Sequence, residues 1–111
     1  MAGVPDAQPD VSPEVLRERL AAARRISYLD VRADAFSTIS LDAAASGELE
    51  LCLEALHGIA YMDARDEAAA KASLITYRSG TLANGRQIAE TISSLSLRDA
   101  VMAEIAAGRP R

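Results

Sequence analysis

Apolar side chains recur at intervals of three and four residues along most of this sequence. Such spacing puts side chains on one face of an α-helix, which turns every 3.6 residues. Half of the 111 residues are hydrophobic, and alanine, leucine and isoleucine dominate among them. Alanine and leucine are the strongest helix formers. The sequence therefore predicts an all-α fold, a compact array of five or six short helices packed in a bundle-like or orthogonal way.

The length of the chain suits one hydrophobic core. Residues 1–11 contain Pro5 and Pro9 among small and polar residues, a composition that predicts a flexible tail. We expect a single helical domain over residues 12–108 and a short tail over residues 109–111. The spacing of apolar residues shows no repeat of fixed period.

A helix start is encoded at Ser12, Pro13 and Glu14. A serine hydroxyl caps free backbone N–H groups, a proline at the first helical position loses no hydrogen bond, and an acid is favoured near the positive helix end. The first helix should therefore begin at Pro13. Its inward side chains are predicted to be Val15, Leu16, Leu20, Ala23 and Ile26, and its outward ones Arg17, Glu18, Arg24 and Arg25.

The middle of the chain gives a weaker signal. Residues 27–40 fit either a continuation of the first helix or a short second helix. Ser46 and Gly47 then predict a break. The following segment, Glu48 to Leu51, alternates like a strand, but the three- and four-residue spacing favours a helix. Its predicted stripe is Leu49, Cys52, Leu53, Leu56 and Ile59 or Ala60.

The second half of the chain contains three predicted helix starts. Asp63 is expected to cap one helix, with Asp66 and Glu67 in its first turn. Capping-box spacing from Asn84 to Gln87 and from Ser96 to Asp99 predicts two more. Ser79-Gly80, and later Gly108 with Pro110, are expected to end helices. The predicted packing faces are Ala64, Ala68, Ala72, Leu74 and Ile75; Ile88, Ala89, Ile92 and Leu95; and Leu97, Val101, Met102 and Ile105.

Charge and cysteine content narrow the function classes. The formal net charge of −4 repels nucleic acid and anionic lipid at long range. Cys52 is the single cysteine, which excludes an intrachain disulfide and favours a reducing compartment. No apolar run reaches the roughly 20 residues of a membrane span. We therefore predict a cytoplasmic protein without a membrane partner, and its alanine- and arginine-rich composition is typical of high-GC bacterial genomes.

Glu54 and His57 are the candidate metal ligands. A Glu and a His three residues apart lie on one helix face and bind a shared metal in di-iron carboxylate bundles. With one histidine per chain, a metal centre here requires a homodimer and further carboxylates, for which Glu14, Glu18 and Glu50 are candidates. Chance spacing on a helix is the favoured explanation of the pair, so no cofactor is expected.

Cys52 is a weak candidate for a nucleophile. It lies in an apolar stripe, five residues from His57, and helical geometry turns the two side chains well away from each other. A buried cysteine behaves as a small hydrophobic residue. No enzymatic activity is predicted from it.

The segment from Gln87 to Ile105 has the length of two helices joined by a tight turn, as in a helix-turn-helix. Its second helix carries Arg98 but also Asp99 and Glu104, which would face phosphates. A DNA-binding regulator that uses this C-terminal helical hairpin is therefore an alternative, and a nucleic-acid partner is disfavoured.

The segment Ser46 to Leu56 resembles a helix of small bacterial immunity proteins that neutralise contact-delivered toxins. The resemblance spans 11 of 111 residues and implies an immunity function without assigning the chain to that family. The amphipathic helices and the lack of a catalytic motif favour a helical protein that binds another protein of unknown identity, as an adaptor, regulator, immunity protein or antitoxin. A homodimer is also expected, because the alanine-rich core has limited volume.

Overall fold

In the computed structural model, residues 8–79 and 81–108 are described, and they form α-helices and no strand. The predicted all-α fold is confirmed. The predicted tail over residues 109–111, Gly80 and Pro110 lie outside the described residues. The helices are α1 (Pro13–Arg24), α2 (Leu29–Ala45), α3 (Leu49–His57), α4 (Met62–Arg78), α5 (Leu82–Ala89) and α6 (Leu95–Ala107).

Several predicted helix ends are confirmed. α1 begins at Pro13, and the Ser12 hydroxyl accepts a hydrogen bond from the Val15 N–H at 3.2 Å. α2 is a separate helix, which decides between the two alternatives for residues 27–40. The segment after Gly47 is helical rather than extended. Gly108 ends α6 in the left-handed conformation that glycine adopts without strain.

Three predicted starts are wrong by a few residues. α4 begins at Met62, so Asp63 lies inside its first turn rather than at the cap, and Asp66 and Glu67 lie beyond that turn. α5 begins at Leu82, so the capping box from Asn84 to Gln87 does not form. The cap of α6 is Ser94, two residues before the predicted Ser96, and its hydroxyl accepts from the Leu97 N–H at 3.3 Å.

The helix positions reveal a repeat of 33 residues. The long helices α2 and α4 each contain 17 residues, and α4 begins and ends 33 positions after α2, at 62 against 29 and at 78 against 45. The short helices α3 and α5 begin at 49 and 82, again 33 apart. α6 begins at 95, which is 33 positions after the start of α4. The prediction of no fixed repeat is therefore wrong.

A sequence motif marks the same repeat at each entry to a long helix. Residues 26–32, 59–65 and 92–98 read ISYLDVR, IAYMDAR and ISSLSLR. The isoleucine that opens the motif is buried in the second and third copies, at Ile59 and Ile92. We call α2, α4 and α6 the A-type helices. The B-type helices are α1, α3 and α5, and each of them precedes one copy of the motif.

The A-type helices lie side by side and run in the same direction. Near their starts, Asp30 of α2 is hydrogen-bonded to Tyr61, which immediately precedes α4. Near their ends, Ala44 of α2 and Thr76 of α4 line a common crevice. Within the described residues each helix contacts only helices of its own repeat or of the adjoining one. The fold is therefore a short stack of helix pairs in the manner of an α-helical solenoid.

The core consists mainly of alanine and medium-sized aliphatic side chains, with Phe36 as its single phenylalanine. Buried hydroxyl groups are satisfied within their own helices: the Ser73 hydroxyl donates to the Ala69 carbonyl at 2.8 Å. Small residues also allow close helix approach, since a Cβ on Gly85 of α5 would lie 3.1 Å from the Ser73 carbonyl oxygen of α4. Val15 and Leu95, predicted to face inward, are exposed.

The last residues of the predicted tail are held against α2. The Gln8 N–H donates to the Asp42 carboxylate at 2.7 Å, and the Val11 N–H donates to the Ser46 hydroxyl at 3.0 Å. Asp42 is buried and also pairs with Arg19 of α1 at 2.8 Å. Residues 8–11 are therefore anchored, whereas residues 1–7 lie outside the described residues.

We expect Gly58→Ala to lower the free energy of unfolding by about 1–3 kcal/mol, because it overpacks the core. A Cβ at this position would lie 2.7 Å from the buried Phe36 ring. Urea unfolding followed by circular dichroism measures the change. Phe36→Leu should lower the free energy of unfolding by less in the Gly58→Ala background than in the wild type. Unchanged unfolding of Gly58→Ala would contradict the packing described here.

Candidate functional site

The described residues carry eight large apolar side chains that are exposed, and six of them lie at the entries to the A-type helices. This clustering distinguishes them from the single exposed apolar residues that are normal on protein surfaces. We call the six residues the apolar ridge. They are Tyr28, Leu29, Val31, Tyr61, Met62 and Leu95.

The repeat places the first residues of the A-type helices in a row. Leu29, Met62 and Leu95 are the first residues of the three A-type helices and occupy equivalent positions. Packed helices lie about 8–10 Å apart, so the three side chains form a row roughly 20 Å long. Exposure is highest at Tyr28, at 79%, and Leu95 is 64% exposed.

Two contacts between repeats fix the geometry of the ridge. The Tyr61 hydroxyl donates a hydrogen bond to the Asp30 carboxylate, and this bond raises the pKa of Tyr61 by favouring the protonated phenol. One repeat further on, the buried Asp66 carboxylate accepts from the Ser93 N–H at 2.8 Å and from the Ser94 N–H at 3.0 Å. Asp66 therefore holds the loop that leads to Leu95.

Both acidic and basic side chains lie near the ridge, and the exposed ones are mainly carboxylates. Asp30 and Asp63 lie in the first turns of α2 and α4, and Asp34 and Glu67 follow one turn later, all four exposed. Asp30 and Asp63 are stabilised by the positive ends of the helix dipoles. The arginines of the repeat motif, at positions 32, 65 and 98, are half-buried.

We expect Asp66→Asn to lower the free energy of unfolding by about 1–3 kcal/mol, because the amide provides one acceptor oxygen for two N–H donors. Asp99→Asn is the matched control, since Asp99 occupies the equivalent exposed position 33 residues later. Urea unfolding of both variants measures the difference. Equal stability of the two variants would contradict the capping function of Asp66.

The predicted metal ligands lie on the exposed side of α3. The Glu54 carboxylate is paired with the Arg24 guanidinium of α1, and His57 is exposed at the last turn of α3. No three potential metal ligands come together among residues 8–79 and 81–108. A metal centre at Glu54 and His57 would need ligands from another chain and displacement of Arg24, and it stays a prediction. Glu14, Glu18 and Glu50, its proposed partners, are exposed on α1 and α3.

Cys52 is fully buried in α3, and burial raises its pKa to about 12. The thiol is therefore protonated at neutral pH and is a poor nucleophile. The pKa of the Cys52 thiol is higher in the folded protein than in the unfolded protein. This difference favours the folded state at pH values below the pKa of the unfolded thiol. The benefit is lost as the pH rises toward 12.

Cys52 should react with a thiol reagent only when the protein unfolds. We expect labelling of native protein at pH 7 to be slower than labelling in urea by about a thousandfold or more. Stopped-flow measurement with a chromogenic disulfide reagent checks this. Cys52→Ala/Ser93→Cys, which moves the cysteine to an exposed loop position, should react rapidly. Rapid labelling of native wild-type protein would show that Cys52 is accessible.

The C-terminal hairpin of α5 and α6 is the third occurrence of a link that also joins α1 to α2 and α3 to α4. Arg98 is half-buried, whereas Asp99 and Glu104 are exposed. The repeat accounts for this hairpin without a nucleic-acid function. DNA binding through it stays a prediction.

None of the helices in the described part of the chain is both long and apolar enough to cross a membrane. Searches of protein-family models, of curated proteins and of solved structures found nothing that matches the chain.

The apolar ridge is not visible in the spacing of apolar residues along helix faces. Tyr28 and Tyr61 precede their helices, and a stripe analysis does not include them. The signal that finds the ridge is the motif at residues 26–32, 59–65 and 92–98, where exposed apolar residues recur at equivalent positions.

Proposed function

We propose that this protein is a scaffold without chemistry of its own that binds another protein through the apolar ridge. The observation that carries the proposal is the recurrence of exposed apolar residues at equivalent positions in three successive repeats. Clustered exposed apolar surface is costly in water and marks interaction sites. Solenoid repeats commonly bind partners along a surface that runs across the stack.

The chemistry of the ridge suggests a type of partner. Aromatic and methionine side chains are enriched at the centres of protein interfaces, and Tyr28, Tyr61 and Met62 supply both kinds. The neighbouring Asp30 and Asp63 favour basic residues on the partner. We therefore propose a partner segment with apolar anchors flanked by lysine or arginine. Immunity, antitoxin, adaptor and regulator roles are all consistent with such binding, in a bacterial cytoplasm.

The proposal also suits the rigidity of the site. The ridge lies on helix starts that are fixed by the Asp30–Tyr61 and Asp66–Ser93 contacts. A preorganised surface binds with a smaller loss of conformational entropy than a loop does. On binding, the ridge would keep its conformation and the partner segment would become ordered.

We expect Met62→Ser/Leu95→Ser to weaken partner binding tenfold or more, because truncation of interface anchors typically costs more than about 1 kcal/mol each. The tagged chain is used to capture proteins from a lysate of the source organism, and each captured protein is then produced and titrated directly against wild type and variant. The matched control is Val15→Ser/Leu82→Ser, which truncates two exposed apolar residues outside the ridge.

Control and wild-type protein should bind the same partner with the same affinity. The proposal is wrong if the ridge variant binds it equally well. It is also wrong if no captured protein binds in the direct titration. Circular dichroism of both variants establishes that they are folded.

A further inference from the structure

Each end of the helix stack exposes a face that is covered in the interior of the stack. At the first end, α1 and α2 border an open groove of about 430 Å³, which we call the end groove. Its lining is almost entirely apolar. It comprises Ala22 and Ala23 of α1, Ile26 of the loop that follows α1, and Ala35, Thr38 and Ile39 of α2, with Arg19 of α1 at its edge.

Equivalent residues in the later repeats show what covers such a groove. Ala35 is half-buried, whereas Ala68 and Val101, at the same position of α4 and α6, are buried. Residues of α2 lie beside Ala68, and α6, which carries Val101, packs against α4. The end groove is therefore the position that a preceding A-type helix would occupy. None does so among the described residues.

The opposite end of the stack exposes the complementary surface. Ser40 and Ser73 are 0% exposed in α2 and α4, where a B-type helix packs over them. Ala106, at the same position of α6, is exposed, and Met102 is half-buried where Phe36 and Ala69 are buried. In the described chain, α6 is an A-type helix without a following B-type helix.

We propose that the end groove binds α6 of a second copy of this chain, so that copies stack head to tail. The α6 helix of one copy and α1 of the next would then form the A-type and B-type helices of one complete repeat. The interface would continue the arrangement that already relates the repeats inside each chain. Because its two surfaces differ, the contact is heterologous and does not close after two copies.

The lengths of the helices fit this arrangement. α6 has 13 residues, whereas α2 and α4 have 17. An α6 helix seated in register beside α2 would end level with Leu41. It would therefore stop before Asp42 and Ser46, where Gln8 and Val11 are bound. A 17-residue helix would meet that anchored segment.

The surfaces are also chemically compatible. The groove presents alanine and isoleucine side chains, and the exposed side of α6 presents Ala103 and Ala106 beside Met102. Arg19 at the edge of the groove is already paired with Asp42, so docking leaves no new charge unpaired there. Two helices make a small interface, for which we expect a dissociation constant of about 10 µM to 1 mM.

Two blocking variants test the proposal by sedimentation velocity over that concentration range. Ala35→Arg obstructs the groove and Ala106→Arg obstructs the exposed side of α6, and arginine is nearly as good a helix former as alanine. The wild type should form oligomers larger than dimers as the protein concentration rises. Each variant alone should stay monomeric, because every contact needs one intact surface of each kind. An equal mixture of the two should form dimers and nothing larger.

The matched control is Ala21→Arg, an exposed position of α1 outside the groove, which should assemble like the wild type. If Ala35→Arg is unfolded by circular dichroism, Thr38→Arg blocks the same groove from an exposed position. A wild type that is monomeric at 1 mM overturns the proposal. So does a mixture that stays monomeric, or a variant that assembles by itself. The test needs no other protein and does not depend on the proposed partner.

Discussion

Close packing of small side chains between neighbouring helices is the constraint on which this structure depends. Ala43 and Ala44 of α2 and Ala68, Ala69 and Ala72 of α4 are all buried. Side chains of this size let helix axes approach closely and add contacts along the whole length of the helices. The approach is close enough that α5 has Gly85 where its backbone passes the Ser73 carbonyl. Large aromatic residues are correspondingly few.

The fold class could be predicted from the sequence because local rules decide it. Ser12 and Pro13 set the start of α1 through hydrogen bonding at a single helix end, and the alanine and leucine content favours helix everywhere. The short range of these effects is also where the reasoning failed. Asp66 looked like a helix-start acid, but its carboxylate binds backbone groups 27 and 28 residues away. Nothing local in the sequence specifies such a contact.

The spacing of apolar residues does not show the repeat, because equivalent core positions carry different side chains. Phe36, Ala69 and Met102 occupy the same position in three repeats, and their volumes differ greatly. Each repeat fills its core differently, so that apolar spacing varies while the backbone arrangement recurs. The entry motif is better preserved along the chain, because it combines a buried isoleucine with a fixed helix start. The ridge, which depends on these entries, could be recognised only once the repeat was known.

Because each helix contacts only helices of its own or the adjoining repeat, the hydrophobic core extends along the stack from repeat to repeat. Each added unit of 33 residues would bring its own helix pair and bury the end of the unit before it. Insertion of a duplicated unit between Gly58 and Ile59 would therefore lengthen the molecule without repacking the existing units. Every duplication would extend the row of exposed entry residues by one step of about 10 Å. The length of the apolar ridge would then increase in proportion to the number of units.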